Sequence, residues 1–242
     1  MTHNRIRYAA GSDVGRTRAK NEDSLHAGER LLAIADGMGG HGHGEVASAA
    51  VIAALAALEE GPMPEDPVAA LDTAVQQAGQ RLSDLAEQDP SLERMGTTVT
   101  AMLWDGSTRF AVAHVGDSRA YMLRDGALYQ ITRDHTLVQS LVDDGRMSPD
   151  QAARHPNRSL LLRALETSGF AEPDLSLRDA HPGDRYLLCS DGLTAVLEPE
   201  TLHHVLSTVA EPEDAVRRLI DLANEGGGPD NISCVVADVE PA

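Results

Sequence analysis

Residues 97–134, "TTVTAMLWDGSTRFAVAHVGDSRAYMLRDGALYQITRD", constrain the fold more than any other part of the chain. Four β-rich runs follow one another here with no helical stretch between them. Two are joined at Asp105-Gly106 and two at Asp125-Gly126, a dipeptide suited to tight hairpins because both central residues tolerate a positive φ. Strands joined so closely must run antiparallel, since a parallel neighbour needs a long crossover. The spacing predicts four consecutive antiparallel strands and argues against a doubly wound parallel sheet.

That conclusion decides how "ADGMGGHGHG", residues 35–44, is to be understood. Gly37-Met38-Gly39-Gly40-His41-Gly42 satisfies GxGxxG, follows the apolar run "LLAI" and opens a helix-like stretch. Glu59 and Glu60 stand at about the distance of a ribose-binding acid. Alone, this would indicate a dinucleotide site, but the antiparallel strands remove most of its support.

The runs "LLAIADG", "RYLLCSDG" and "ISCVVADV" read as further strands. Amphipathic spacing and start signals predict helices at 44–60, about 65–88, 134–144, 148–154, 198–209 and 212–225. Ser148, Pro149 and Gln151 supply an N-cap, a first-turn proline and a capping-box partner. The whole pattern is α+β: a mostly antiparallel β core covered by helices, in one domain. "EEGPMPEDP" reads as a loop between two helices, and no repeat or low-complexity tract interrupts the chain.

With one Trp, four Tyr and two Phe among 242 residues, the core must be filled by Ala, Val, Leu and Ile, with closely packed Ala-rich helices. Twenty basic residues against 38 acidic ones give a formal net charge of −18. Such a surface repels nucleic acid and anionic lipid, which argues against both as partners. It also leaves carboxylates available for hard divalent cations. Cys189 and Cys234 lie in apolar runs and read as buried, reduced thiols, and neither opens a Cys-x5-Arg loop. No secretory leader or membrane-length apolar run is present, so the expected location is the cytosol.

Asp36, Asp117, Asp191 and Asp230 each border an apolar strand and have Gly or Asn beside them. One Asp-Gly after a strand is ordinarily a turn. Four acids in the same setting indicate convergence, and converging carboxylates need a counterion: one divalent cation, or two roughly 3.5–4 Å apart. Oxygen-only donors favour magnesium or manganese over zinc.

Six motifs in order, "RAKNEDS", "ADGMGGH", "GTT", "GDSRAY", "LLCSDGL" and "GGGPDNIS", resemble the PPM family of metal-dependent serine/threonine protein phosphatases, the type 2C class, and its bacterial members in particular. The resemblance implies a β-sandwich of two mostly antiparallel sheets with helices on both faces, spanning 1–242 as a single catalytic domain. It implies that Asp36 bridges two manganese or magnesium ions, that Gly37 offers its carbonyl, and that Asp191 and Asp230 complete the first ion's shell. Glu22 would hold a metal-bound water, Asn231 would support the ligands, and Arg18 would grip the substrate phosphate. The implied reaction is direct attack of metal-activated water on a phosphoserine or phosphothreonine monoester, without a phosphoenzyme.

Residues 145–180 resemble the flap beside the active site of bacterial members, where an aspartate matching Asp117 holds a third ion and Ser159 would be the flap contact. Many eukaryotic members place a histidine, the leaving-group acid, where this chain has Met38. That leaves His41, His43 or water for the role, with His41 taken as the candidate. The partners implied are phosphorylated proteins, serine/threonine kinases among them, acted on by a monomer with no membrane insertion of its own; the chain could also be the cytosolic part of a longer membrane-anchored protein. The rival classes are a binding module that keeps only the fold, and a two-metal nuclease or pyrophosphatase.

Overall fold

A computed structural model describes residues 4–39, 43–167 and 172–241. Two antiparallel sheets pack face to face. The first holds β1 (Asn4–Asp13), β7 (Arg119–Arg124), β8 (Ala127–Gln130), β11 (Arg185–Cys189) and β12 (Ile232–Pro241), in the order β1-β12-β11-β7-β8. The second holds β2 (Asp23–Ala27), β3 (Leu31–Gly39), β4 (Met95–Thr97), β5 (Val99–Trp104), β6 (Arg109–Val115), β9 (Leu165–Glu166) and β10 (Asp174–Asp179), in the order β10-β6-β5-β3-β4-β9, with β2 also paired to β3.

The near-continuous apolar character of "LLAIA" and "YLLC" follows from burial on both faces. Alternate residues point into different cores. Leu32 and Ile34 meet Leu188, Val235 and Ala237 between the sheets, where Phe110 packs against Trp104 and Tyr186 at ring distances of 4.8 and 5.0 Å. Leu31, Ala33 and Ala35 face outward onto α1 (Gly44–Ala56) and α2 (Pro67–Gln88). On the other side Leu187, Cys189, Cys234 and Val236 are covered from α5 (Asp191–Thr194), α6 (Pro199–Thr208) and α7 (Pro212–Glu225). The architecture is therefore α-β-β-α, and both thiols are free and buried.

The expected run of four strands divides. β5 pairs with β6 and β7 with β8, but β6 and β7 belong to different sheets. The link Gly116–Ser118 crosses from one sheet to the other, which fixes Asp117 at the end of the sandwich. The second hairpin turns on Asp125 and Gly126, both left-handed at φ 51° and 77°, as its Asp-Gly pair predicts. The helices match the sequence reading closely, and the Ser148–Gln151 capping box forms at α4 (Pro149–Ala153). α3 (Leu137–Asp143) and α4 stand outside the four layers, and residues 174–179 of the flap-like stretch are an edge strand paired with β6.

Candidate active site

Five aspartates converge at one end of the sandwich. Asp36 reaches it on β3, where the Gly96-Thr97-Thr98 sequence clamps its backbone. Its N–H donates to Thr98 Oγ1 at 2.9 Å, and its carbonyl accepts from Thr98 N and Thr97 Oγ1, each at 2.9 Å. Thr98 Oγ1 also lies 2.7 Å from Ser118 Oγ in the crossing that carries Asp117. One buried threonine thus ties the two acid-bearing segments together.

Asp191 begins α5 directly after β11, and Asp230 precedes β12. A Cβ on Gly192 would stand 2.0 Å from the Asn231 carbonyl oxygen, so only glycine lets the two segments close on each other. Gly37 is wedged in the same way. A Cβ there would be 2.2 Å from the Gly44 oxygen and 2.5 Å from that of Glu22. Asn231 accepts the Glu22 N–H at 2.8 Å and donates to the carbonyls of Val14 and Lys20 at 3.0 and 2.8 Å. It therefore pins the loop that presents Arg18, whose Nη2 donates to Asp230 Oδ2 at 2.7 Å.

The fifth acid, Asp23, is absent from the sequence reading. It is the register partner of Asp36 on β2 and accepts a hydrogen bond from Ser190 Oγ at 2.8 Å. It opens a strand instead of closing one, so it escapes a search for acids at strand ends. Its place beside Glu22 in "NEDS" is the available signal.

Burial, then the charges of Asp23, Asp191, Asp117 and Asp230, push the Asp36 carboxyl well above the usual carboxylate range. Burial followed by Asp191 and Asp134 lifts Asp117 to about 8, with Arg119 opposing. Burial raises Asp23 to about 6, and Asp191 rises through burial and Asp230 while a hydrogen bond with Asp36 works the other way. Buried like charges at this density ask for a cation.

The donor set fits a hard divalent ion. It is oxygen only, and Asp23 Oδ1 is a buried carboxylate oxygen without a hydrogen-bond partner. Among the described residues, no three His, Cys, Asp or Glu side chains form a group that could by itself hold an ion. Part of any ion's shell would then come from carbonyls and water, as magnesium and manganese accept.

Asp36, Gly37, Asp191, Asp230, Glu22, Asn231 and Arg18 are therefore neighbours. Asp117 and Asp191 also line a cavity of about 570 Å³ whose far wall includes Ser159. In the same cavity Arg119 forms a two-pronged pair with Asp134, Nε to Oδ1 at 2.9 Å and Nη2 to Oδ2 at 2.6 Å. His41 lies outside the described residues. His43 immediately precedes α1 and makes no side-chain capping bond.

A family model described as protein phosphatase 2C matches residues 10–224. The serine/threonine protein phosphatase PstP of Mycobacterium tuberculosis is 54% identical over 234 residues, which is 97% of this chain and 45% of the relative. The chain thus spans about half the length of that relative. The serine/threonine phosphatase stp of Listeria monocytogenes is 34% identical over 236 residues, covering 94% of this chain and 93% of the relative. The crystal structure of the M. tuberculosis phosphatase PstP/Ppp matches with a TM-score of 0.94 and 54% identity, covering 98% of this chain and 99% of that one. A structure of the PstP catalytic domain with two manganese ions matches with a TM-score of 0.91 and 52% identity, again covering 98% and 99%.

Proposed function

Because the chain belongs to the protein phosphatase 2C family, we propose that it hydrolyses phosphoserine and phosphothreonine monoesters on proteins with the aid of divalent metal ions. The observation that carries this reading is the convergence of five aspartates, four of which burial and then neighbouring carboxylates hold toward the protonated form.

Asp36 and the Gly37 carbonyl would serve both core ions, and Asp191 and Asp230 the first of them. Glu22 and Asp23 would orient water beside them. Manganese is the ion in the PstP structure, and magnesium suits the same oxygen donors. Asp117, with Asp191 and the Ser159 end of the flap, would hold a third ion. When bound, such ions neutralise phosphoryl charge and make water acidic enough to react near neutral pH.

The chain's own groups supply the remainder. Arg18 spends one nitrogen on Asp230 and leaves its side chain half exposed, so its fork can take up phosphate oxygens and release the carboxylate for metal. A seryl alkoxide needs a proton as it leaves, and His41 is the proposed donor, with His43 or water as the other candidates. The natural substrates would be phosphorylated proteins of bacterial serine/threonine kinase signalling, the kinases included, met in the cytosol by a monomeric domain.

The test sets a phosphothreonine peptide beside duplex DNA, each with manganese and with excess EDTA. Peptide hydrolysis only with manganese, and intact DNA, is the expected result. Cleaved DNA would assign a nuclease, and no turnover of either substrate would leave a binding module.

A further inference from the structure

His135 lies outside the acid cluster, buried behind the turn that carries Asp117, and both of its ring nitrogens are committed. The Gly116 N–H donates to Nδ1 at 3.1 Å, and Nε2 lies 3.0 Å from Asp174 Oδ2. A backbone N–H can only donate and an ionised carboxylate can only accept. The hydrogen must therefore sit on Nε2, and the ring is neutral. A second proton would set Nδ1–H against the Gly116 N–H.

The main chain of His135 completes the junction. Its N–H donates to the Gly116 carbonyl at 2.7 Å, so the turn is gripped from both sides. Its carbonyl accepts from Leu162 N at 2.7 Å, while Leu137 N donates to Leu160 O at 2.9 Å and Thr136 bridges Leu161. Asp174, the acceptor for Nε2, also takes Arg163 Nη1 at 2.8 Å. The segment that leaves Ser159 is thus fastened to His135 through its backbone and again through Arg163 and Asp174. The neighbouring His114 ring, 4.7 Å away, bonds Thr100 Oγ1 and the Arg133 carbonyl, so it takes no part in the junction.

We infer that His135 is a positioning residue, whose neutral Nε2–H form holds the Gly116–Asp117 turn in register with the Ser159 end of the flap. It touches neither substrate nor metal and acts through Asp117. The inference rests on the phosphatase reading only in what Asp117 and Ser159 are for. The junction itself stands on the hydrogen bonds.

Three measurements test it. Nitrogen-15 NMR of the imidazoles should show His135 protonated at Nε2 alone. His135→Ala and Asp174→Ala should each speed hydrogen exchange at the Gly116 amide by about tenfold or more. In a calorimetric manganese titration both should weaken the Asp117-dependent site by roughly 10-fold while the core sites keep wild-type affinity, the scale typical of groups behind a metal ligand. His135→Gln, which keeps one acceptor and one donor, should restore both readouts. Asp174 has a half-exposed side chain, so its variant decides the matter if His135→Ala does not fold. An Nδ1-protonated ring, or an Asp174→Ala protein with wild-type exchange and isotherm, would overturn the inference. If the wild type binds only two manganese ions, the third-ion reading falls, and exchange at Gly116 alone supports or overturns the positioning role.

Discussion

Asp36 has a carboxyl turned inward beside four other acids, an arrangement that opposes folding unless a cation is present. Its substitution should separate function from stability. Asp36→Asn should lower phosphopeptide turnover by roughly 10²-fold or more, since even groups behind a ligand cost 10- to 100-fold. In EDTA the same variant should melt no lower than wild type, because an acid that burial and its neighbours force to take up a proton is gone. A large fall in melting temperature in EDTA would show instead that Asp36 is a structural acid. Asp191→Asn and Asp230→Ala should behave alike, and retention of wild-type rate at saturating metal would demote either one to a turn residue. The strand-end acids were legible because each is marked by a flanking Gly or Asn. Asp23 was not, because its closeness to Asp36 comes from the β2–β3 register, which pairs residues 13 positions apart without any local sequence mark.

At the level of elements, helices were legible to within a few residues because caps, prolines and periodicity are local. Strand pairing was legible only within the two hairpins, β5 with β6 and β7 with β8. Nothing in "HVGDSRAY" reveals that β6 and β7 part into different sheets, since the choice is made by β10 and β11, which lie far along the chain. β1 and β2 were also missed: polar side chains on their exposed positions dilute the apolar pattern. The crossing between β6 and β7 depends on Thr98. Thr98→Val keeps the shape but leaves the Asp36 N–H without an acceptor, which should cost about 1–3 kcal/mol in denaturant unfolding and weaken manganese binding. Gly126→Ala is the comparison. It strains a left-handed turn residue with open space around it, so it should cost about 1 kcal/mol and leave manganese affinity unchanged. Equal effects of the two on metal binding would refute the special place given to Thr98.

For the molecule as a whole, the raised carboxyls couple stability to pH and metal. Asp23 moves up from 3.8 to about 6 and Asp117 to about 8. A carboxyl whose folded pKa exceeds its unfolded value holds its proton more tightly when folded. Its contribution is therefore complete below about pH 4 and is lost as pH rises through 6 and 8. Manganese needs the same groups deprotonated, so its stabilisation should grow over that window. Thermal melts from about pH 5 to 8 should show a falling midpoint in EDTA and a widening gap when manganese is added; a constant gap would contradict the acid cluster as the metal site. The most direct measurement follows phosphate release from a phosphothreonine peptide while manganese is returned to EDTA-stripped protein, with bound metal counted in parallel. Turnover should be absent from the stripped protein and rise as the second ion binds. Full turnover by the stripped protein, or by Asp36→Asn, would contradict metal-dependent phosphoester hydrolysis at this site.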